Sequence, residues 1–157
     1  MDIDKLLIIP TFLNPFKDSF AASASLRLSW MQKLTQNEAK IEVLDIETSK
    51  NHASPTYETL QELKLRYNFT QKPYLIIGAD NVKNLHRWNN YENLAKEVNF
   101  VVANRETYED KHPFLKLDVN YPVSSTDLRQ HPDKKYLPQT IADEIISFYK
   151  ENNDTSI

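Results

Sequence analysis

Short continuous apolar runs alternate along the chain with stretches whose apolar positions recur every three to four residues. Lys5 to Pro10 (KLLIIP) is a compact apolar run closed by proline, which predicts a strand buried on both faces. From Ala21 to Leu34 the apolar positions Ala22, Leu26, Trp30 and Leu34 fall four apart, a spacing that lines one face of a helix, with Ser19 as its expected cap. Ile41 to Ile46 alternates apolar and polar before turning apolar, as a strand nearer a sheet edge does. A helix is expected from Thr56, with Leu60, Leu63, Leu65 and Tyr67 along it, Pro55 ahead of it and Asn68 at its end. Tyr74 to Ile77 and Phe100 to Ala103 are two further buried-strand runs, the first stopped by Gly78.

Beyond them Tyr108 to Pro122 is irregular, with a strand expected near Phe114 to Leu117. Ser124 to Arg129 predicts a short helical turn. Ala142 to Tyr149 predicts a final helix with Ile141, Ile145, Ile146 and Phe148 inward. Strands and helices in alternation argue an α/β fold with a mainly parallel sheet. At 157 residues and 40% hydrophobic the chain suits one domain over residues 1–150, followed by a polar tail, 151–157, expected to be disordered. No repeat or low-complexity linker divides it.

Ligands of parallel α/β sheets sit beyond the carboxyl ends of the strands, so the residues after each run are the ones to inspect. After the first comes a proline-stiffened loop with Lys17, a compact cation able to meet a phosphate; the plainer reading is a rigid surface loop. After Tyr74 to Ile77 comes Gly78-Ala79-Asp80, where glycine admits a ligand and the carboxylate can accept from ribose hydroxyls; a helix N-cap aspartate is the alternative. Trp88 and Tyr91, three apart, can stack on an aromatic ring or simply pack in the core. Arg105 leaves the fourth run. Ser124-Ser125-Thr126 with Arg129 gathers hydroxyls and a guanidinium suited to a polyphosphate, or caps a helix.

Charge narrows the partners. The formal net charge is -3 with 26% charged residues, so no basic field attracts nucleic acid or an anionic membrane, and an anionic ligand must be held by a few local cations. Cysteine is absent, which removes disulfides and thiolate chemistry and makes the cytoplasm the expected compartment. The N-terminal apolar run is too short for a signal peptide or a membrane span. His86 has no second ligand at metal spacing, so no metal site is expected in the protein itself, and His52, His112 and His131 read as solvated surface positions. Arg27 is open to a structural role or to a substrate phosphate.

The segments IIPTFLNPFK, ASLRLSWM, SPTYETL, IGAD, LHRWNNYENL, FVVANR and VSSTDLR, in that order from about Ile3 to about Tyr149, resemble bacterial nicotinate-nucleotide adenylyltransferases. The resemblance implies a Rossmann-like nucleotidyltransferase fold that transfers the adenylyl group of ATP, with Mg2+, to nicotinate mononucleotide, giving deamido-NAD and pyrophosphate. By motif, Lys17 and Arg129 would act in catalysis. Lys17, Thr56, Trp88 and Arg105 would hold the mononucleotide, and Gly78, Asp80, Ser125, Thr126 and Arg129 would hold ATP. Nucleotidyl transfer needs positioning and charge stabilisation more than covalent help, which suits such a set.

One departure is large. The family's first strand, its glycine-rich GGSFDPPHxGH-like turn and the helix after it, roughly 25 residues by the length of such a unit, are not in this sequence, which holds a single glycine where average usage gives about ten. The sequence therefore reads as an N-terminally truncated domain, catalytically impaired, since each lost transition-state donor is worth about 3 kcal/mol. Removal of a central strand is expected to leave an open edge and to promote self-association. Two alternatives stand beside the leading one: an adenylyltransferase for another phosphorylated substrate, and a nucleotide-binding protein without catalysis.

Overall fold

The structure, a computed structural model, describes residues 3–13, 21–104, 112–119 and 121–154. Their contacts divide into two compact units, Met1–Ala53 with Val123–Ile157, and Ser54–Pro122. Among the described residues every strand pairing is parallel, as the alternation of elements predicts, and the strands form a two-stranded and a three-stranded set.

The unit made of the two chain ends holds β1 (Leu6–Ile8) paired with β2 (Ile41–Val43), Leu7 opposite Glu42. β2 is shorter than the expected Ile41 to Ile46, yet Leu44 and Ile46 are still buried. Between the two strands runs α1 (Ala24–Thr35), which starts later than expected. Its cap is Ser23, whose Oγ accepts from the Leu26 N–H at 3.2 Å; Ser19 and Phe20 lie outside the described residues. The four-residue stripe is real: Ala22 and Trp30 are buried, and Leu26 and Leu34 pack with them against Ile141, Ile145 and Phe148. The last three belong to or precede α5 (Ala142–Asp154), which runs past the expected end at Tyr149. Trp30 meets Phe148 edge to face at 5.6 Å, a geometry aromatic quadrupoles favour. Before α5 lies the short α4 (Ser125–Gln130).

The unit Ser54–Pro122 holds α2 (Thr56–Arg66), β3 (Tyr74–Gly78), α3 (Tyr91–Glu97), β4 (Asn99–Asn104) and β5 (Leu115–Asp118). The strand order is β3-β4-β5, with Ile76 opposite Val101 and Val101 opposite Leu115. One face of this sheet carries Leu75, Ile77, Phe100, Val102 and Phe114 into a core closed by Leu60, Leu85 and Leu94. Tyr91, Phe100, Phe114 and His112 form a continuous aromatic row with centroid spacings of 6.2, 5.2 and 5.6 Å. The opposite face is different. Ile76 is 43% exposed and Leu115 53%, with Tyr74 and Leu117 also exposed, although Val101 between Ile76 and Leu115 is buried.

A polar knot joins α2 and α3. Glu97, at the end of α3, accepts from Lys64 Nζ at 2.8 Å, Gln61 Nε2 at 3.0 Å and Tyr57 Oη at 3.2 Å, all three from α2. These donors, Lys64 first and Gln61 next, hold the Glu97 carboxyl below the usual carboxylate range. The Tyr57 phenol is raised, by desolvation first and by its bond to Glu97 next.

Candidate functional site

In the Ser54–Pro122 unit, the carboxyl end of β3 delivers Gly78 and Asp80 together. A nine-residue 3-10 helix, Ala79–Arg87, follows the strand directly, a feature the weak periodicity of that stretch does not reveal. Gly78 has φ -68°, so no left-handed turn requires glycine there. The requirement is a close approach: a Cβ at Gly78 would lie 2.5 Å from Asp80 Oδ1. Asp80 is exposed and does not cap the helix, which sets aside the N-cap reading; its Oδ1 accepts from Asn81 Nδ2 at 3.2 Å. The result is a carboxylate held over a bare backbone at a parallel strand's exit.

Thr56 is the first residue of α2, set there by the extended Pro55, which cannot donate and so suits the start of a helix. Ser54, just before it, is 5% exposed and its Oγ is buried without a hydrogen-bond partner among the described residues. Trp88 ends the 3-10 helix and, with Tyr91, packs against the core cluster. Its indole Nε1 is buried without a partner among the described residues, as are Asn104 Oδ1 at the end of β4 and His112 Nδ1. Arg105, the residue after Asn104, lies outside the described residues, as does Lys17.

His112 is a correction to the sequence reading. It is half-buried, stacked on Phe114 at 5.6 Å and 27°, rather than a solvated surface residue. Nothing in the spacing of histidines signals this, because the stack depends on where β5 places Phe114.

In the other unit, α4 is fastened by a capping box. The Asp127 N–H donates to Ser124 Oγ at 3.1 Å, while the Ser124 N–H donates to Asp127 Oδ2 at 3.2 Å and the Ser124 hydroxyl donates to the same carboxylate. Ser124 is thereby committed to the cap, and Ser125 and Thr126 keep exposed positions. Arg129 Nη2 donates to Thr126 Oγ1 at 3.0 Å, so the structure brings these two predicted residues into direct contact.

Arg27 emerges as the organising cation of the same unit. Its Nε donates to the Ala22 carbonyl at 3.1 Å and its Nη2 to the Thr11 and Phe12 carbonyls at 2.6 and 2.8 Å. Burial lowers its pKa. Tyr149 of α5, whose phenol burial raises while the charges of Arg129 and Arg27 pull it down, stands within electrostatic reach of both arginines. Tyr149 escaped the sequence reading because its only signal was a place on the final helix.

Among the described residues no group of three or more His, Asp or Glu is placed to hold a metal ion. No described helix is long and apolar enough to cross a membrane.

Residues 1–131 match the cytidylyltransferase-like family. The chain is 45% identical over 152 residues to a probable nicotinate-nucleotide adenylyltransferase of Sulfurimonas denitrificans, a match taking in 97% of this chain and 82% of that protein. It is 43% identical over 150 residues to a protein of the same description from Nitratiruptor sp., covering 96% of this chain and 84% of the other. Among solved structures it is similar in fold to Plasmodium falciparum nicotinic acid mononucleotide adenylyltransferase complexed with NaAD, with a TM-score of 0.70 and 22% identity over 94% of this chain and 83% of that one.

Proposed function

The chain belongs to the nicotinate-nucleotide adenylyltransferases of the cytidylyltransferase-like family, and from that premise we propose that it joins nicotinate mononucleotide to the adenylyl group of ATP. A phosphate oxygen of the mononucleotide attacks the α-phosphorus of ATP, the bond from that phosphorus to the bridging oxygen breaks, and pyrophosphate leaves as deamido-NAD forms. Magnesium enters as part of the substrate, bound to the triphosphate, whose oxygens are the hard ligands it prefers.

The observation that carries this reading is the Asp80 carboxylate held over Gly78 at the exit of β3, in a chain with the identity just given to its relatives. Asp80 and Gly78 receive the ATP ribose. Ser125, Thr126 and Arg129 receive its phosphates, and the Arg129–Thr126 contact supports their acting as one group. Thr56, Trp88 and Arg105 take the pyridine carboxylate and ring, a pairing of hydroxyl, aromatic plate and cation suited to a flat acid. Lys17 meets the mononucleotide phosphate. With Arg129, it offsets charge that builds on the transferring phosphoryl group, which is where such reactions gain most of their rate.

Incubation of the purified chain with MgATP and nicotinate mononucleotide, with deamido-NAD separated by chromatography, tests the reaction. A calorimetric titration of nicotinate mononucleotide against nicotinamide mononucleotide tests the substrate. Equal affinities would discard the acid-specific pocket in favour of another phosphorylated substrate. ATP affinity without product would favour the binding protein without catalysis.

The β3 edge supports self-association as a companion property. The Asn99 N–H donates to the Pro73 carbonyl at 2.9 Å, and the alternation of a parallel ladder then turns the backbone groups of Tyr74 and Ile76 away from β4. An apolar strand edge of this kind is a template for pairing with another copy. Light scattering on the eluting protein, compared with Ile76→Lys, measures it. A monomer at every concentration would remove the proposal.

A further inference from the structure

We propose that the outer edge of β5 is a self-pairing surface, on which two copies of this chain join their β5 strands antiparallel about a two-fold axis at Leu117. This edge lies at the opposite side of the three-stranded set from the β3 edge, and pairing there asks nothing of the function proposed above. In the order β3-β4-β5 the last strand has a neighbour on one side only among the described residues. Leu115, Lys116, Leu117, Asp118 and Val119 are all exposed.

The ladder fixes which backbone groups look outward. The Val119 N–H donates to the Asn104 carbonyl at 2.9 Å, so the backbone groups of Val119, and with period two those of Leu117 and Leu115, are turned to β4. Those of Lys116 and Asp118 are turned to the open side. An antiparallel partner must set outward groups against outward groups, so Lys116 and Asp118 of one copy meet the same two residues of the other.

Charge then selects one register. With the axis at Lys116 or at Asp118 like charges face each other, and a parallel pairing in register does the same; like charges directly opposite are destabilising. With the axis at Leu117, Lys116 lies opposite Asp118 of the second copy, and the symmetry repeats the pair. Each pair exchanges its backbone N–H and C=O groups while the two side chains stand together on one face. On the other face Leu117 meets its own copy and Leu115 meets Val119, which covers side chains that are 38%, 53% and 37% exposed in the single chain. A lysine on an open edge ordinarily protects it from pairing. Here Asp118, two residues on, cancels that protection for this partner in this register alone. So short an edge buries less than the ~1,200 Å² at which standard interfaces begin, so the dimer is weak, with a dissociation constant on the order of 100 μM.

The test is sedimentation velocity on a charge series at these exposed positions, made in Ile76→Lys so that the β3 edge takes no part. Lys116→Glu sets carboxylates against each other, Asp118→Lys sets ammonium groups against each other, and Lys116→Asp combined with Asp118→Lys restores the pairing with the signs exchanged. Each single variant is expected to weaken the dimer by on the order of tenfold or more, and the combined variant to return to within about threefold of the reference. Hydrogen exchange at rising concentration is expected to slow at the Lys116 and Asp118 amides and to stay constant at Leu117 and Val119, which are already bonded to β4.

A monomer at every concentration up to about 1 mM overturns the proposal. So does a single variant that associates like the reference, or a combined variant no better than the single ones. Association lost with Ile76→Lys alone assigns the contact to β3 and overturns it as well. Should Ile76→Lys fail to fold, the same series in the unmodified chain decides by the same criteria, with the Lys116 and Asp118 amides as the readout that pairing at β3 does not move.

Discussion

The two units reach order by different routes. Ser54–Pro122 is one uninterrupted stretch, and its core of Leu60, Ile77, Ala79, Leu85, Leu94, Val98, Phe100 and Val102 is drawn from neighbours close along the chain. The other unit is assembled from the two ends of the chain, and its buried cluster is Ala22, Trp30 and Ile141, edged by partly buried side chains. Bringing Ile141 to Trp30 closes a long loop, and that loss of chain entropy grows with loop length. Less burial must offset it. Directional contacts take up the difference: the Trp30–Phe148–Tyr149 aromatic group, the Arg27 clamp, and a Lys33–Glu144 pair at 2.5 Å between residues 111 apart. A small core leaves a unit dependent on a few side chains, and a larger one spreads the dependence.

The sharpest way to break this comparison is Trp30→Ala. Loss of a large buried aromatic costs about 3–5 kcal/mol, and here it removes the largest member of a three-residue core. Hydrogen exchange is expected to rise in α1 and α5 while β3 and β4 keep their protection. If protection is lost equally in both units, the distinction between them fails.

Gly78→Ala probes the Ser54–Pro122 unit at the exit of β3. The new methyl meets a carboxylate oxygen at the tip of a side chain rather than backbone, so Asp80 swings aside and the fold yields little. ATP affinity is expected to fall about tenfold, the scale of one lost charge-assisted hydrogen bond, with the unfolding midpoint nearly unchanged. A large drop in the midpoint with ATP affinity retained would show that Gly78 serves packing alone.

Ser124→Ala returns to the unit made of the two chain ends. It removes the Oγ acceptor of a complete capping box and is expected to cost about 1 kcal/mol, read from urea unfolding. A negligible cost would mean that α4 frays in the native protein.

The smallest effect is on acid stability of the Ser54–Pro122 unit. Because the folded state holds the Glu97 pKa below its unfolded value, through Lys64 first and Gln61 next, its contribution is present above the ordinary carboxylate range near about pH 4. It is lost as pH falls through the depressed value. The unfolding midpoint of Glu97→Gln relative to the unmodified protein should therefore recover as pH is lowered from 7 to 3. A difference that stays constant with pH would mean the ion contributes nothing that a neutral amide does not.

Much of the fold was legible because it rests on local period. The stripe Ala22, Leu26, Trp30, Leu34 and the runs Tyr74 to Ile77 and Phe100 to Ala103 all became the elements they predicted. The start of α1 was not, since Ser23 and Ser19 are equally good cap residues and only the path of the entering chain selects between them. The 3-10 helix Ala79–Arg87 was illegible for a related reason: its apolar positions, Ala79, Val82 and Leu85, recur every three residues over three positions, too short a pattern to rise above the polar residues around them.

The candidate residues divide the same way. Gly78 stood out in the sequence as a place where a ligand could approach the backbone, whereas the close neighbour that the structure shows is the Asp80 carboxylate. By itself the sequence determined the order of elements, the inward faces and the residue types waiting at strand exits, because each of these follows from neighbours within one or two turns. Only the tertiary structure decided that Arg27 clamps Thr11, Phe12 and Ala22, that Glu97 gathers three donors from α2, and that His112 stacks on Phe114. Those are choices among many chemically equal partners, and they are made by distances across the fold that local spacing does not encode.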